Sequence, residues 1–415
     1  MKYLETIHER NSAKITTLIV VILLLLLFVV GHKYMDPPLE YGVAVNFGNS
    51  EVGSGDVQPL EPIKSEPREV IEEPQVKESK VEQTKAEPSK SEKAAEKVLT
   101  EDNAESIAIK KQKEAADAKA KAEKMIQNVI LAFENRIKNL EWMSEETKQK
   151  AIEKLQATTV KIAYPDKWKD YSELEIKSVE EGGSYLQNAL NARAWNFKED
   201  INKLDKPVDK SEWYMAPQIV NAYFNPAYNE IVFPAAILQP PFYNFNADDA
   251  VNYGGIGAVI GHEISHSFDD SGARYDKDGN LNNWWTDEDL KQFEELGSDL
   301  ADQYSAIEVL PETNINGKFT LGENIGDLGG VLAAYDALQL SYEQDGRPTE
   351  TIDGFTPEQR FFMSWATVWR TKMRDDALKT RIKTDPHSPG MTRAVQPLLN
   401  VDAFYEAFGI KEGDK

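Results

Sequence analysis

The sequence that decides the fold is VIGHEISHSFDD, residues 259–270, in which His262 and His266 stand four residues apart on either side of Glu263. On an α-helix, positions i and i+4 share one face, so both imidazoles can reach one tetrahedral metal ion. Glu263 points about 100° away around the helix axis, where its carboxylate can deprotonate a water molecule held by that ion. The alternative is a pair of histidines hydrogen-bonded within a helix core, but the chain has only five histidines in 415 residues. The stretch therefore indicates a hydrolytic zinc site.

A catalytic zinc ion needs a third protein ligand and an open position for water. The later stretch LGENIGD, residues 321–327, supplies two carboxylates one helical turn apart. Glu323 can face the metal, and Asp327 can accept the free N–H of a ligating imidazole and fix its tautomer. By itself such a pair is equally typical of a solvated helix face. After the two histidines, it predicts His262, His266 and Glu323 as ligands of one Zn²⁺ per chain.

Composition limits the classes of partner and divides the chain unevenly. The formal net charge of −23 argues against nucleic acid or an anionic membrane surface as a partner. The absence of cysteine excludes a disulfide scaffold and thiol chemistry. No aromatic residue lies between Phe47 and Phe133, and every tryptophan lies at or beyond Trp142. A packed core is therefore expected only from about residue 125 onward.

The N-terminal part is typical of a membrane anchor followed by a tether. Residues 15–30 are apolar apart from two threonines and have basic residues on both sides. A cleaved signal peptide would need a shorter apolar region and a cleavage site of small residues. We therefore expect an uncleaved single transmembrane helix within residues 1–35, with the N terminus in the cytoplasm. Residues 36–124 are rich in Pro, Glu, Lys and Ala and are expected to form a disordered linker.

Residues 1 to about 115 resemble the anchor of TonB-type energy transducers. The resemblance rests on MKYLETIHERNSAKIT at the start, the apolar run, and DPPLEYGVAVNFGNSEVGSG with its Pro/Glu/Lys-rich continuation. It implies a bacterial inner membrane location with the folded part in the periplasm, and an energy-transducing membrane complex as a further partner. The receptor-binding domain of such transducers is replaced here by other sequence. A natural fusion and an artefact of sequence assembly are both open explanations.

Apolar spacing in the rest of the chain predicts packing helices before and after the zinc motif. These helices are expected at about 125–140, 144–155, 179–197 and 248–268, with later ones capped by Thr286 and Thr356.

Residues 218–233 change to a period of two and predict a β-hairpin. A strand edge beside a zinc site could bind an extended peptide through main-chain hydrogen bonds, and Asn221 could add a side-chain contact. The alternative is a core hairpin with a surface asparagine.

The last histidine, His387, lies in DPHSPG, residues 385–390, a turn that prolines make rigid. Alone it would be an unremarkable loop histidine. Beside a zinc site, its imidazole is a candidate donor to the oxyanion of a tetrahedral intermediate, with Asp385 orienting the ring.

Four motifs, in this order, resemble the neprilysin and endothelin-converting-enzyme family of zinc endopeptidases: NAYFNPAYNEIVFPAAILQPPFY, VIGHEISHSFDD, LGENIGDLGG and IKTDPHSPG. The resemblance covers about residues 125–413. It implies a mainly α (α+β) fold, with a thermolysin-like zinc metallopeptidase catalytic domain and small β-hairpin at 218–415, after a remnant helical cap region at 125–217. Family members have a much longer helical region before these motifs, which caps the cleft and limits substrates to peptides.

The resemblance also implies a role for each residue of the catalytic centre. It matches His262, His266 and Glu323 with the zinc ligands. It matches Glu263 with the catalytic base and Asp327 with the carboxylate behind a ligand.

Further matches concern the substrate. Asn221 and Ala222 match a clamp on the substrate backbone, His387 matches a transition-state donor, and Arg393 matches an arginine that holds a substrate carbonyl. An apolar pocket for the residue after the cut implies cleavage on the amino side of large hydrophobic residues. Its matching residues are Ile237, Phe242, Val259 and Trp369.

Two classes of function follow from these residues. The favoured one is a zinc endopeptidase acting on peptides, in which Glu263 takes a proton from the attacking water and later protonates the leaving amine. The alternative is a membrane-tethered protein without catalysis, either an energy-transducer remnant or an inactive fusion or truncation product.

Overall fold

The computed structural model describes residues 119–411 and 413–414. The expected anchor and almost all of the expected linker lie outside this part of the chain. Within it, no helix is both long and apolar enough to cross a lipid bilayer. The helices are α1 (119–139), α2 (Glu145–Gln156), α3 (Tyr185–Ile201), α4 (Asp249–Asn252), α5 (Ala258–Ser265), α6 (Asp287–Ser305), α7 (Leu321–Asp345), α8 (Pro357–Val368), α9 (Asp375–Thr384), α10 (Gly390–Val395) and α11 (Asp402–Phe408). The strands are β1 (Thr159–Ala163), β2 (Tyr223–Asn225), β3 (Glu230–Pro234), β4 (Glu308–Leu310) and β5 (Thr313–Asn314).

The predicted hairpin is confirmed, with β2 and β3 paired antiparallel so that Tyr223 lies opposite Val232. All of β3 is buried, because β1 runs parallel on its other side and gives the strand order β1-β3-β2. Strand β1 was not predicted from the sequence, since five residues soon after a helix are too few to establish a period of two. No described strand pairs with the outer edge of β2. The sheet therefore has the unpaired edge that strand addition requires.

The zinc motif lies on a helix, as predicted, but the helix changes geometry along its length. Asp248 caps α4 through its side chain, residues Tyr253–Gly257 form a π-helical turn, and α5 follows without a break. The expected end at residue 268 is wrong, since α5 ends at Ser265 and His266 is its C-cap. The next backbone bonds span only three residues, as from the Phe268 N–H to the Ser265 carbonyl, and this tighter winding ends the α-helix.

Helices α5 and α7 cross at a pair of glycines, and this crossing positions the predicted ligands. A Cβ atom built on Gly261 would lie 2.7 Å from the carbonyl oxygen of Gly330, and one built on Gly330 would lie 2.5 Å from that of Ala258. Any side chain at either glycine would push the helices apart. The close crossing brings the histidines of α5 beside α7, whose first turn carries Glu323.

The main core surrounds this crossing and extends to α1, α2, β3 and α8. Among the described residues, which start at 119, burial begins at Ala122, close to the expected start of the core at residue 125. Three predicted helix starts are confirmed, because Ser144, Thr286 and Thr356 each accept a hydrogen bond from the backbone N–H three residues later. These caps set where α2, α6 and α8 begin.

The helix expected at 179–197 is displaced and lies apart from the main core. A turn over residues 178–183 precedes it, so α3 begins at Tyr185 and ends at Ile201. Its one buried side chain, Trp195, is not part of the main core. The expectation of a helix is confirmed, but it begins six residues later and ends four residues later than expected.

Candidate metal centre and active site

Three ligand atoms converge where α5 crosses α7. His262 Nε2 lies 3.0 Å from His266 Nε2 and 3.2 Å from Glu323 Oε2, and His266 Nε2 lies 3.7 Å from Glu323 Oε1. Metal–ligand bonds of about 2 Å at tetrahedral angles place ligand atoms roughly 3.3 Å apart, so this spacing fits one zinc ion. The structure brings the three predicted ligands together around one point.

The electrostatics of the cluster also fit a cation. The Nε2 atoms of His262 and His266 face each other. A single proton on either nitrogen could form a hydrogen bond with only one partner. Glu323 Oε2 is buried without a hydrogen bond of good geometry. Burial alone would lower the pKa of His262, but its contacts with Asp327 and Glu323 outweigh burial and raise that pKa to about 10. The carboxylates therefore favour an added positive charge here, whether a proton or a metal ion.

Each histidine is held from behind by a carboxylate. Asp327 Oδ1 lies 3.0 Å from His262 Nδ1, and Asp269 Oδ2 lies 2.7 Å from His266 Nδ1. These contacts fix the tautomer that directs each Nε2 lone pair toward the metal position. Asp327 was predicted from the sequence, whereas Asp269 was not. The available signal was its place three residues after the second histidine, within the same motif.

Asp327 also binds Arg393, which lies in the same buried layer. The arginine Nε donates to Asp327 Oδ2 at 2.8 Å, and Nη2 donates to Oδ1 at 2.6 Å. Burial would raise the pKa of Asp327, but Arg393 and His262 outweigh it and lower that pKa. The guanidinium also lies 3.8 Å from the ring centroid of Trp369 and 3.6 Å from Glu323 Oε2. The structure thus brings Arg393 into the site, while its contact with substrate stays a prediction.

Glu263, the predicted base, is buried on α5 beside the ligands. Burial raises the pKa of its carboxyl group, and the charges of His262 and His266 oppose that rise. A carboxylate whose pKa is moved toward neutrality is a better proton acceptor at neutral pH than an exposed one. The position and the electrostatics of Glu263 both suit a general base.

His387 reaches the same point from the loop between α9 and α10. Its Nδ1 lies 2.7 Å from Asp385 Oδ1, and its Nε2 lies 3.2 Å from Glu323 Oε2. Arg381 holds the other Asp385 oxygen at 3.0 Å. The structure therefore places the loop histidine at the metal centre, with Asp385 orienting its ring.

Six further residues were predicted from the sequence to bind substrate. Asn221 and Ala222 directly precede β2, the strand whose outer edge pairs with no described strand. Val259 lies one helical turn before Glu263. All members of the predicted pocket are buried residues of the main core, namely Ile237, Phe242, Val259 and Trp369. Their roles in binding stay predictions.

Comparison with known families assigns the chain. A family model described as peptidase family M13 matches residues 221–415, and a second model with the same description matches residues 68–165. The second match begins within the stretch expected to be linker, inside the part that resembles a TonB-type anchor. The first contains every residue predicted for the site.

Curated relatives share the same region. The endothelin-converting enzyme homolog of Locusta migratoria is 41% identical over 308 residues, covering 72% of this chain and 42% of the relative. The neutral endopeptidase of Lactococcus lactis subsp. lactis (strain IL1403) is 41% identical over 299 residues, covering 72% of this chain and 45% of the relative. The chain therefore spans less than half the length of these relatives.

Solved structures agree with the observed fold. The zinc metalloprotease ZMP1 of Mycobacterium tuberculosis, in complex with an inhibitor, matches with a TM-score of 0.68 and 48% identity, covering 72% of this chain and 45% of that one. PEPO from Lactobacillus rhamnosis HN001 matches with a TM-score of 0.65 and 36% identity over the same shares. By its two family matches, its relatives and its fold, the chain belongs to peptidase family M13.

Proposed function

We propose that this chain is a zinc-dependent endopeptidase. The observation that carries the proposal is the convergence of His262, His266 and Glu323 on one point, with the buried carboxylate of Glu263 beside it. Relatives named as a neutral endopeptidase and as an endothelin-converting enzyme homolog support the same reaction class. Because the chain spans less than half of their length, the proposal rests on its own site.

Different residues of the site have different roles in peptide hydrolysis. Zinc held by the three ligands supplies Lewis acidity toward water and toward the scissile carbonyl. Glu263 accepts a proton from the attacking water and delivers it to the amine nitrogen as the C–N bond breaks. His387, oriented by Asp385, donates a hydrogen bond to the developing oxyanion.

The proposal includes cleavage on the amino side of large hydrophobic residues. Its support is the buried apolar character of the predicted pocket, in which Val259 lies one turn from Glu263 and Trp369 packs against Arg393. Main-chain pairing of a substrate with the outer edge of β2, beside Asn221 and Ala222, would present such a side chain. Peptides that differ only in the residue after the cut should give kcat/KM values higher for Phe or Leu than for Glu. Equal values would remove this part of the proposal.

The catalytic role is tested by Glu263→Gln. This change removes the base and keeps all three ligands, so zinc per chain should stay near one while peptidase activity falls by several orders of magnitude. Near-normal turnover in the variant would overturn the mechanism.

A non-catalytic, membrane-tethered protein is the competing function. The observation that favours it is the resemblance of residues 1 to about 115 to the anchor of TonB-type energy transducers. Stoichiometric zinc in the wild-type chain, with no turnover of any tested peptide, would establish it in place of the peptidase.

We also propose that residues 15–30 anchor the chain in a bacterial inner membrane with the peptidase part in the periplasm. The support is the apolar run and the TonB-type resemblance, which also makes an energy-transducing membrane complex a candidate partner. Protease added to spheroplasts should release a soluble active fragment that begins near residue 100. Recovery of the intact chain from the cytoplasmic fraction would contradict the proposal.

A further inference from the structure

Lys154, near the end of α2, is a buried cation that the mechanism above does not use. Its side chain is 1% exposed. Its ammonium group donates to three backbone carbonyl oxygens, those of Ser267 at 2.7 Å, Gly272 at 2.8 Å and Tyr275 at 2.7 Å. Three donors meet three acceptors, so the protonated amine is fully satisfied. The residue is 113 positions before the first of these partners in sequence.

The three carbonyls belong to one loop, residues 267–275, which begins directly after the zinc ligand His266. The loop folds around two opposite charges. Its carbonyl oxygens converge on Lys154, whereas the backbone N–H groups of Ser271 and Gly272 converge on Asp269 Oδ1 at 2.9 and 2.6 Å. The carboxylate of Asp269 also attracts the Lys154 ammonium electrostatically. Each charge therefore fixes one set of backbone dipoles in the same turn.

Asp269 connects this loop to the metal centre. Its Oδ2 atom lies 2.7 Å from His266 Nδ1. It also borders α7, because a Cβ atom built on Gly322 would lie only 3.1 Å from Asp269 Oδ2. Gly322 directly precedes the third ligand, Glu323. A displaced loop would therefore disturb the support of one ligand and the surroundings of another.

We propose that Lys154 is a positioning residue for the zinc centre. It holds loop 267–275 in the form that places Asp269 against His266, so helix α2 contributes directly to metal affinity. The inference rests on the proposed zinc site. It adds that zinc affinity depends on contacts made by α2.

The first test is Lys154→Met in the full-length chain, with the zinc dissociation constant measured by competition with a chelator. Methionine keeps the apolar stem but removes one donor from each of the three carbonyls. The Gly272 carbonyl keeps its bond from the Tyr275 N–H and the Tyr275 carbonyl keeps its bond from the Trp284 indole N–H, so the main penalty is expected at the buried Ser267 carbonyl. We expect zinc binding to weaken about ten- to a hundred-fold, the range found when residues that orient metal ligands are lost. The matched control is Lys150→Met, one turn earlier on α2, where the lysine is part-exposed and pairs with Glu146 at 2.8 Å. The control should bind zinc as the wild type does.

A double-mutant cycle separates positioning from general support of the fold. If Lys154 acts through Asp269, then Lys154→Met should weaken zinc binding little further in an Asp269→Asn background. If the double variant instead loses zinc affinity by the product of the two single-variant losses, the proposal is overturned, because the two residues then act independently. Lys154→Arg, which keeps the charge and several donors, should restore most of the affinity.

Hydrogen exchange of the wild-type chain tests the same coupling without a mutation that could prevent folding. Binding linkage is reciprocal, so removal of zinc should increase exchange of the Ser271 and Gly272 amides. Unchanged exchange there, or unchanged zinc affinity in Lys154→Met, would refute the role of Lys154. Failure of the wild-type chain to bind zinc would instead refute the proposed function, so the two failures are distinguishable.

Discussion

Helices α2 and α3 both lie between α1 and the hairpin, yet they are held in different ways. Helix α2 buries a face that includes Leu155, Ala151 and Lys154, whereas α3 buries Trp195 alone. Both helices have a serine N-cap that accepts a backbone hydrogen bond. Local helix signals therefore do not separate them. The difference comes from what the rest of the chain presents to each face.

Helix α2 contacts the catalytic part of the chain near both of its ends. Near its start, Asp289 of α6 accepts hydrogen bonds from the hydroxyl groups of Ser144, Thr147 and Thr286. Near its end, Lys154 binds the loop after the zinc motif. These contacts join segments more than 100 residues apart in sequence. Helix α2 is thus part of the same structural unit as the metal centre.

The contacts of α3 are local and leave an apolar stripe exposed. Trp195 packs on Tyr171, which lies in the segment that precedes the helix, with ring centroids 5.2 Å apart. Large side chains at helical spacing face solvent instead of a described neighbour, with Leu186 at 69% and Phe197 at 68% exposure. Exposed stripes of this kind promote association. The comparison predicts that changes at the metal centre and in α2 matter greatly, and that changes on α3 matter little to stability.

The largest effect is expected for Glu323→Ala. Loss of one of three protein ligands should reduce zinc per chain well below one and remove peptidase activity. Metal analysis and a peptide assay measure both. Hydrogen exchange should rise along α5 and α7 and stay unchanged along α3, since the latter has no part in the site. Stoichiometric zinc in the variant would show that the ligand assignment is wrong.

A matched pair of leucine truncations tests the two helices directly. Leu155→Ala on α2 removes a side chain that is 1% exposed and should lower the free energy of unfolding by about 2–5 kcal/mol. Leu190→Ala on α3 removes one that is 47% exposed and should change it by less than about 0.5 kcal/mol. Urea denaturation of both variants gives the comparison. Equal losses would mean that α3 is covered in solution by a partner that its exposed face does not reveal.

Asp289→Asn tests the junction of α2 and α6 through its pH dependence. Burial would raise the pKa of Asp289, but hydrogen bonds from Ser144, Thr147 and Thr286 outweigh it and lower that pKa to about 2. The folded pKa lies below the unfolded value of about 3.9, so the charge stabilises the fold above that value and this stabilisation is lost as pH falls toward 2. The variant should lose about 1–3 kcal/mol near neutral pH. Its deficit relative to wild type should shrink between about pH 4 and 2, and a deficit independent of pH there would contradict the assignment.

The smallest effect on stability is expected for the double change Leu190→Gln and Phe197→Gln. Both side chains are exposed, so the free energy of unfolding should shift by less than about 1 kcal/mol. Self-association measured by light scattering should fall, because the apolar stripe is interrupted. A large loss of stability would show that the stripe packs against part of the same chain.

Patterns confined to one element were predicted well from sequence. The four-residue spacing of His262 and His266 fixed a shared helix face, and Thr286 and Thr356 marked helix starts. The hairpin followed from its period of two. In each case the signal lies within about a dozen residues, where backbone geometry determines which side chains are neighbours.

Features that depend on distant segments were not predicted. Strand β1 is stabilised as a strand by pairing with β3, about 70 residues later. The support of His266 by Asp269 had a local signal, whereas the binding of its loop by Lys154 had none. Likewise, the spacing of apolar residues in α3 gives no indication that they are exposed.

The sequence alone determined the chemistry of the metal centre, because ligand type and helical spacing restrict which residues can face one ion. Only the tertiary structure decided how those ligands are held and which helices are part of the core. The Gly261–Gly330 crossing and the Lys154 contacts require segments about 70 and 113 residues apart to meet. Such meetings depend on the packing of the whole chain, which no local pattern specifies.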